Sequence, residues 1–255
     1  MKAQILLSLA LVSGCGSAHA DLKAVVKVSV EGAPRAGSPG GGTVTIYQSG
    51  SKLRVERDGT ARVLLVDGDK RYVLDTEAKT YYIPAPREPN GGEAEKSLQL
   101  SKTSETKVIA SISTTRYDLK GEIKVQGGGA GGGRAGRFGN RGGGGLGGGG
   151  GLSFKVDGAL WVAPDLPKIE LRDLIGERGA AVRTSLNQVS FDGLVLAGNI
   201  KVTPPAVLAQ RMGVISLNFE AQSVVQAPQP ADLFTLPEGY RKVDPPSTPG
   251  GFFSR

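Results

Sequence analysis

From Leu22 onward, apolar and polar residues alternate with a period of two. Leu22, Ala24, Val26, Val28 and Val30 fall on one side, and Lys23, Lys27, Ser29 and Glu31 are among those on the other. Successive side chains of an extended chain point to opposite faces, so the pattern predicts a half-buried β-strand. After a Gly/Pro-rich loop from Gly32 to Gly42 the pattern resumes in TVTIYQ (Thr43–Gln48), KLRVER (Lys52–Arg57), ARVLLV (Ala61–Val66), KRYVLD (Lys70–Asp75) and KTYYIP (Lys79–Pro84). The segments between them, such as Asp58-Gly59-Thr60 and Asp67-Gly68-Asp69, are short turns that force antiparallel neighbours. A meander of at least five strands from Thr43 to Ile83 is therefore expected.

Leu53 and Val55 face one way while Lys52, Arg54 and Glu56 face the other, which gives the sheet one wet face. Lys23, Lys27, Lys52, Arg54 and Arg57 are read as a solvated stripe on that face. Arg87 to Lys102 is polar and reads as a surface loop, followed by strands at Thr106–Ser113, Thr115–Leu119 and Glu122–Gln126. Residues 127–152 are then almost entirely glycine, broken by Arg134, Arg137, Phe138, Asn140, Arg141 and Leu146. Maximal backbone entropy with hardly a side chain to bury predicts disorder there. A strand resumes in SFKVDGALWVA (Ser153–Ala163), which carries the only tryptophan, Trp161, so the tract reads as an insertion between neighbouring strands of one sheet. Helical spacing of Leu171, Leu174 and Ile175 before Gly179 predicts a helix over Ile169–Arg178, and PAVLAQRM a second over Pro205–Met212. The last strands are expected at Leu194–Val202 and Val214–Val225, and the Pro/Gly/Ser-rich residues 245–255 as a disordered tail.

Residues 1–20 have the order of an export signal: Lys2, an apolar run from Ile5 to Val12, and small residues ending in Ala18-His19-Ala20, an A-x-A site before Asp21. A second reading competes, because Val12-Ser13-Gly14-Cys15 fits a bacterial lipobox that would place a diacylated Cys15 at the new N-terminus and the protein on the outer membrane. Cleavage after Ala20 is favoured by the distance of the A-x-A site from the apolar run. A single domain over 21–244 is expected, of periplasmic location. No later stretch approaches the roughly 20 consecutive apolar residues of a membrane-spanning helix.

The chain's only cysteine, Cys15, and only histidine, His19, both fall in that leader. The remainder therefore has no material for a disulfide, a Ser-His-Asp triad, a cysteine nucleophile or a histidine-ligated zinc. Asp67, Asp69, Asp75 and Glu77 sit at two successive turns, but they fall short of a calcium loop and read as turn chemistry. No cofactor, no metal and no enzymatic activity are expected. The formal charge of +7 implies weak attraction to polyanions, which outside the cytoplasm are anionic lipids or wall polymers rather than nucleic acid.

Four segments carry a resemblance: GSKLRVERDG (Gly50–Gly59), YVLDTEAKTYYIP (Tyr72–Pro84), ALWVAPDLP (Ala159–Pro167) and LFTLPEGYRKV (Leu233–Val243). In that order they resemble an exported bacterial family of unknown function within the LolA-like (outer-membrane lipoprotein carrier) superfamily. IASISTTRY (Ile109–Tyr117) resembles a further segment of the family, with Ser111, Ile112 and Thr114 where the family pattern has glycine, an aromatic and cysteine. The resemblance implies a mainly β fold: a curved antiparallel sheet, the LolA-like half-barrel, whose concave apolar face is covered by two or three short helices. In the better-known relatives that face binds acyl chains or lipids.

The expected function is thus a non-enzymatic binding or carrier module for an apolar ligand (acyl chain, lipid or lipoprotein) in the bacterial envelope. Val28, Leu53, Val55 and Trp161 are the candidate ligand-facing residues. Tyr72, Tyr81 and Tyr82 are near candidates, although Tyr81 and Tyr82 must point to opposite faces. The alternative is a structural or adhesive envelope protein in which Arg134, Arg137 and Arg141 contact anionic polymers.

Overall fold

In a computed structural model of the chain, the structure describes residues 21–32, 41–84, 98–125, 152–171 and 191–245. They are mainly β and form one open, curved sheet of twelve strands. The strands are β1 (Leu22–Glu31), β2 (Gly41–Ser49), β3 (Lys52–Arg57), β4 (Arg62–Asp67), β5 (Lys70–Asp75), β6 (Thr80–Tyr82), β7 (Gln99–Ile109), β8 (Ile112–Val125), β9 (Leu152–Ala163), β10 (Leu194–Thr203), β11 (Ile215–Gln226) and β12 (Arg241–Lys242). Their order across the sheet is β12-β6-β5-β4-β3-β2-β1-β11-β10-β9-β8-β7. All pairs are antiparallel except β12 with β6. The expected meander is therefore present as β2 to β6, and a second meander runs back from the far edge, β7 to β11. β1 lies between them.

Period-two alternation divides the side chains between two faces. On the core face, Leu22, Ala24, Val26 and Val28 of β1 are buried together with Val44 and Ile46, Leu53 and Val55, and Leu217 and Phe219. The same row continues through Gly198 and Leu160, the partners of Phe219 and of Gly198. Gly198 is required by close approach: a Cβ there would lie 2.5 Å from the Phe219 ring and 2.8 Å from Leu160 Cδ2. Leu166, Ile169, Leu171 and Phe191, from the segments flanking β9 and β10, belong to the same cluster.

The back face is polar over β1, β10 and β11, but over β3 to β5 it is not wet. Val63, Leu65 and Leu74 are buried there beneath Phe234 of a 3-10 turn at Ala231–Phe234, with Tyr47, Tyr72, Tyr81, Leu233, Leu236 and Tyr240 around them. The C-terminal residues thus form a strap that leaves β11, crosses the back face and ends as β12 on the edge of β6. Its entry is fixed by Asp21, whose carbonyl accepts the Ala227 N–H at 3.0 Å and whose carboxylate accepts the Gln229 N–H at 2.8 Å. Arg54 Nη1 donates to the Leu233 carbonyl at 3.2 Å under the strap. This corrects the solvated stripe expected from the sequence. Arg54 keeps only 15% of its side-chain exposure, Lys23 lies over the Tyr47 ring at 5.4 Å, and Arg57, paired with Val44, is on the core face. The strap supplies the apolar cover that makes Leu65 and Leu74 inward-facing on what their neighbours mark as the polar side.

Two further boundaries differ from the sequence pattern. β7 begins at Gln99, inside the expected loop, because QLSKTSETKVI is an edge strand exposed on most of its length and shows no apolar alternation. Thr106–Ser113 is not one strand but a hairpin, turned at Ala110 and Ser111 with φ of 48° and 67°. Asn and Gly usually mark such a left-handed pair, and neither is present. At the other end of β8, Val125 pairs with Leu152 of β9, so the chain leaves the sheet and rejoins it at adjacent positions. Among the described residues one α-helix, α1 (Ala206–Met212), follows Pro205 and ends at Gly213 with φ 63°. Leu171 alone of the expected Ile169–Arg178 helix is helical among the described residues, and 172–178 lie outside them.

Because Val125 and Leu152 are direct partners, replacing Gly128–Gly150 by a short polar turn should leave cooperative unfolding intact with a similar midpoint. Closure entropy changes only by about 0.6 kcal/mol per doubling of length. Thermal denaturation checks this, and loss of the folded baseline would contradict it.

Candidate functional site

Burial along the core face is not uniform. The register aligns Ala24, Ile46, Val55, Leu64, Val73 and Tyr82 in one row from β1 to β6. The first three are buried, whereas Leu64, Val73 and Tyr82 are only partly buried. The next row runs Leu22, Gln48, Leu53, Val66, Arg71 and emerges in the same way at Val66. The apolar face that forms the core thus continues, less covered, onto the outer strands of the first meander.

A cleft of about 500 Å³ opens where this strip meets the segment after β9. Such a volume lies within the range of small-molecule sites. Gln48, Leu53 and Val66 contribute from the strands, Ile169 from the opposite side, and Asp69, Arg71, Lys168 and Glu170 line it as well. Arg71 and Glu170 approach to 3.6 Å across the cleft, linking β5 to that segment. With two acids and two bases the rim carries no net charge. Gln48 follows Val44 and Ile46 in step on β2, and its Oε1 is shielded from solvent without a hydrogen-bond partner. A smaller cleft of about 230 Å³, lined by Arg62, Val73, Tyr82 and Val243 among others, lies at the far end of the strip.

Of the residues singled out from the sequence, Val28, Leu53 and Val55 lie together on the core face, where all three are buried. Trp161 is on the back face, because its partner row is Arg116, Trp161, Ala197 and Glu220, one residue out of step with Leu160. A one-residue offset reverses the face. Trp161 instead lies under Lys107, whose Nζ is 6.0 Å from the ring centre and 3.9 Å from Glu220 Oε1. Lys107 is on β7 and Glu220 on β11, four strand spacings away, or about 19 Å across a flat sheet. The ion pair therefore requires the tip of the β7–β8 hairpin to roll over the back face. Beside it, Arg116 holds Glu105 at 2.8 Å and Asp118 at 2.9 Å, and the Glu105 contact first, then the Asp118 charge, raises the guanidinium pKa further.

Tyr72 and Tyr81 meet edge to face, with ring centres 6.0 Å apart, on the back face, and Tyr82 is on the core face. Asp75 acts within its turn, its Oδ1 accepting the N–H groups of Glu77 and Ala78. Arg134, Arg137 and Arg141 lie outside the described residues. The sequence reasoning missed Gln48, Val66 and Val73. The signal for Gln48 was its place in step with Val44 and Ile46.

Among the described residues no helix is long and apolar enough to cross a membrane. No protein-family model matches the chain, and no curated protein matches it. Among solved structures, that of PNGF-II is similar at a TM-score of 0.37 and 13% identity, over 89% of this chain and 32% of that one. This chain thus spans about a third of PNGF-II, a likeness too weak to carry fold or activity across.

The strap's entry is sensitive to acid. Hydrogen bonding from the Gln229 N–H, then from the Ser49 hydroxyl, holds the Asp21 carboxyl below its ordinary range. A carboxyl whose folded pKa is depressed stabilises the fold above its unfolded pKa, and that contribution is lost as pH falls through the folded value. Asp21→Asn should therefore flatten the acid limb of the stability–pH profile and leave the neutral region with a constant offset. An unchanged acid limb in denaturant titrations would contradict this.

Proposed function

We propose that the protein is a non-enzymatic binding or carrier module for an acyl chain, lipid or lipoprotein, which it holds on the outer part of the core face. The observation that carries this reading is the emergence of the apolar row at Leu64, Val73 and Tyr82, next to a cleft that Leu53 and Val66 help to line. Partly covered apolar surface that continues from a core is favourable for an apolar ligand, at about 0.8 kcal/mol per buried methylene. Roughly ten methylenes would supply about 8 kcal/mol before ordering costs, in the micromolar range. The four segments resembling the LolA-like superfamily support the same reading, with the curved sheet taken as its half-barrel and short helices as its cover. The leader-like residues 1–20 support a periplasmic location, or an outer-membrane one if Cys15 is lipidated. The strap bears on which face is used: with Phe234 seated over Leu65 and Leu74, the back face of the first meander is filled by the chain itself.

Titration of the purified, delipidated protein with a fluorescent fatty acid tests this. Saturable binding at micromolar concentration is expected. Val73→Asp, which puts a charge on the partly buried strip, should weaken it at least tenfold, while Lys27→Ala on the polar back face should leave it unchanged. Absence of saturable binding by folded protein across several acyl ligands would contradict the proposal.

A further inference from the structure

Gln48 sits between two buried leucines in a row that reads Gln226, Leu22, Gln48, Leu53, Val66 and Arg71 across the sheet. Its neighbours in register are Leu22, wholly buried, and Leu53, buried beside the cleft. An apolar side chain in its place would continue the core. Instead Gln48 lines the cleft, and its Oε1 is the one buried side-chain oxygen or nitrogen among the described residues without a hydrogen-bond partner. A buried acceptor left without a donor carries the desolvation cost of that group with no return, so few persist in folded chains and each calls for a reason. The rim narrows what could supply the donor. Arg71, Lys168, Asp69 and Glu170 line the same opening, and Arg71 is engaged with Glu170 at 3.6 Å. With both signs on the rim, its charge favours neither an anionic nor a cationic head. A carboxylate, moreover, has no proton for Oε1.

We infer that Gln48 is the head-group contact of the acyl site, and that the ligand it fits is a neutral acyl compound with a hydroxyl-bearing head, of the monoacylglycerol kind. This rests on the acyl-binding reading above. The acyl chain lies along Leu53, Val66 and the partly buried strip, and the head sits at the amide. A hydroxyl both donates and accepts, and a primary amide presents both kinds of partner, so a turn of the amide about its terminal bond suffices to present its oxygen to the ligand.

Monooleoylglycerol, methyl oleate and oleate, titrated separately against the purified protein by displacement of a fluorescent acyl probe, distinguish the possibilities. The three share a chain and differ in the head. Monooleoylglycerol is expected to bind about tenfold more tightly than methyl oleate, the scale of one net hydrogen bond, and more tightly than oleate. Gln48→Leu should bring monooleoylglycerol and methyl oleate to within twofold of each other while preserving binding of methyl oleate. Equal binding of monooleoylglycerol and methyl oleate by the native protein overturns the inference and leaves the acyl site standing, as does a preference that survives in Gln48→Leu. A tighter grip on oleate than on monooleoylglycerol also overturns it. If none of the three displaces the probe, the acyl-binding reading falls and the inference with it. The comparison of ligands on the native protein decides the matter even if the variant does not fold.

Discussion

The pairing of β1 with β11 is the constraint on which the sheet depends. Each meander is built from neighbours in sequence, and in the strand ladder the two are joined through β1, which pairs with β2 on one side and β11 on the other. The residues at this junction are accordingly among the most deeply buried in the chain: Leu22, Ala24 and Val26 have at most 1% of their surface exposed. Side chains on both flanks pack on them, so the core forms only when the first and the last long strands have met. The same junction fixes the strap. Asp21 immediately precedes β1, and Ala227 immediately follows β11, so the hydrogen bond between them sets the point from which the C-terminal residues cross the back face.

The strap decides how the two faces differ. Without it, the first meander would show apolar side chains on both faces, Val63, Leu65 and Leu74 on one and Leu64, Val66 and Val73 on the other. Phe234 closes the former, and the latter stays partly open. Burying Leu65 and Leu74 on the nominally polar side removes apolar surface from water that a two-layer arrangement would otherwise leave exposed. The asymmetry is what the acyl-binding reading uses, since the face still available is continuous with the core and leads to the cleft at Gln48.

Much of this was legible in the sequence because period-two alternation is a local signal. β1, β3 and β5 lie where their patterns end, give or take a residue, and Pro205 and Gly213 bracket α1 as their chemistry requires. What could not be read depends on distant partners. β7 is wet along most of its length and pairs on one side only, so nothing in QLSKTSETKVI marks it as a strand. ARVLLV carries apolar residues at consecutive positions, a pattern that fits a strand covered on both faces, but which segment covers it is not written nearby. LFTLPEGYRKV looked like a motif and is the strap. Trp161 shows the same limit in another form: a lone aromatic attracts attention as a ligand contact, yet its parity with Leu160 puts it on the other face. Gln48 is in step with Val44 and Ile46 in the sequence, but the lack of a hydrogen-bond partner for its Oε1 is visible only in the structure.

The central claim is that the two faces of the first meander differ in access, the back face filled by the strap and the core face open. Single cysteines introduced into a Cys15→Ser background test it most directly. The account predicts that a thiol reagent labels native protein rapidly at positions 64, 66 and 73 and slowly at 63, 65 and 74, with an added acyl ligand protecting only the first set. Rapid labelling at 65 and 74 with protection at 64 and 73 in ligand-free protein would contradict it.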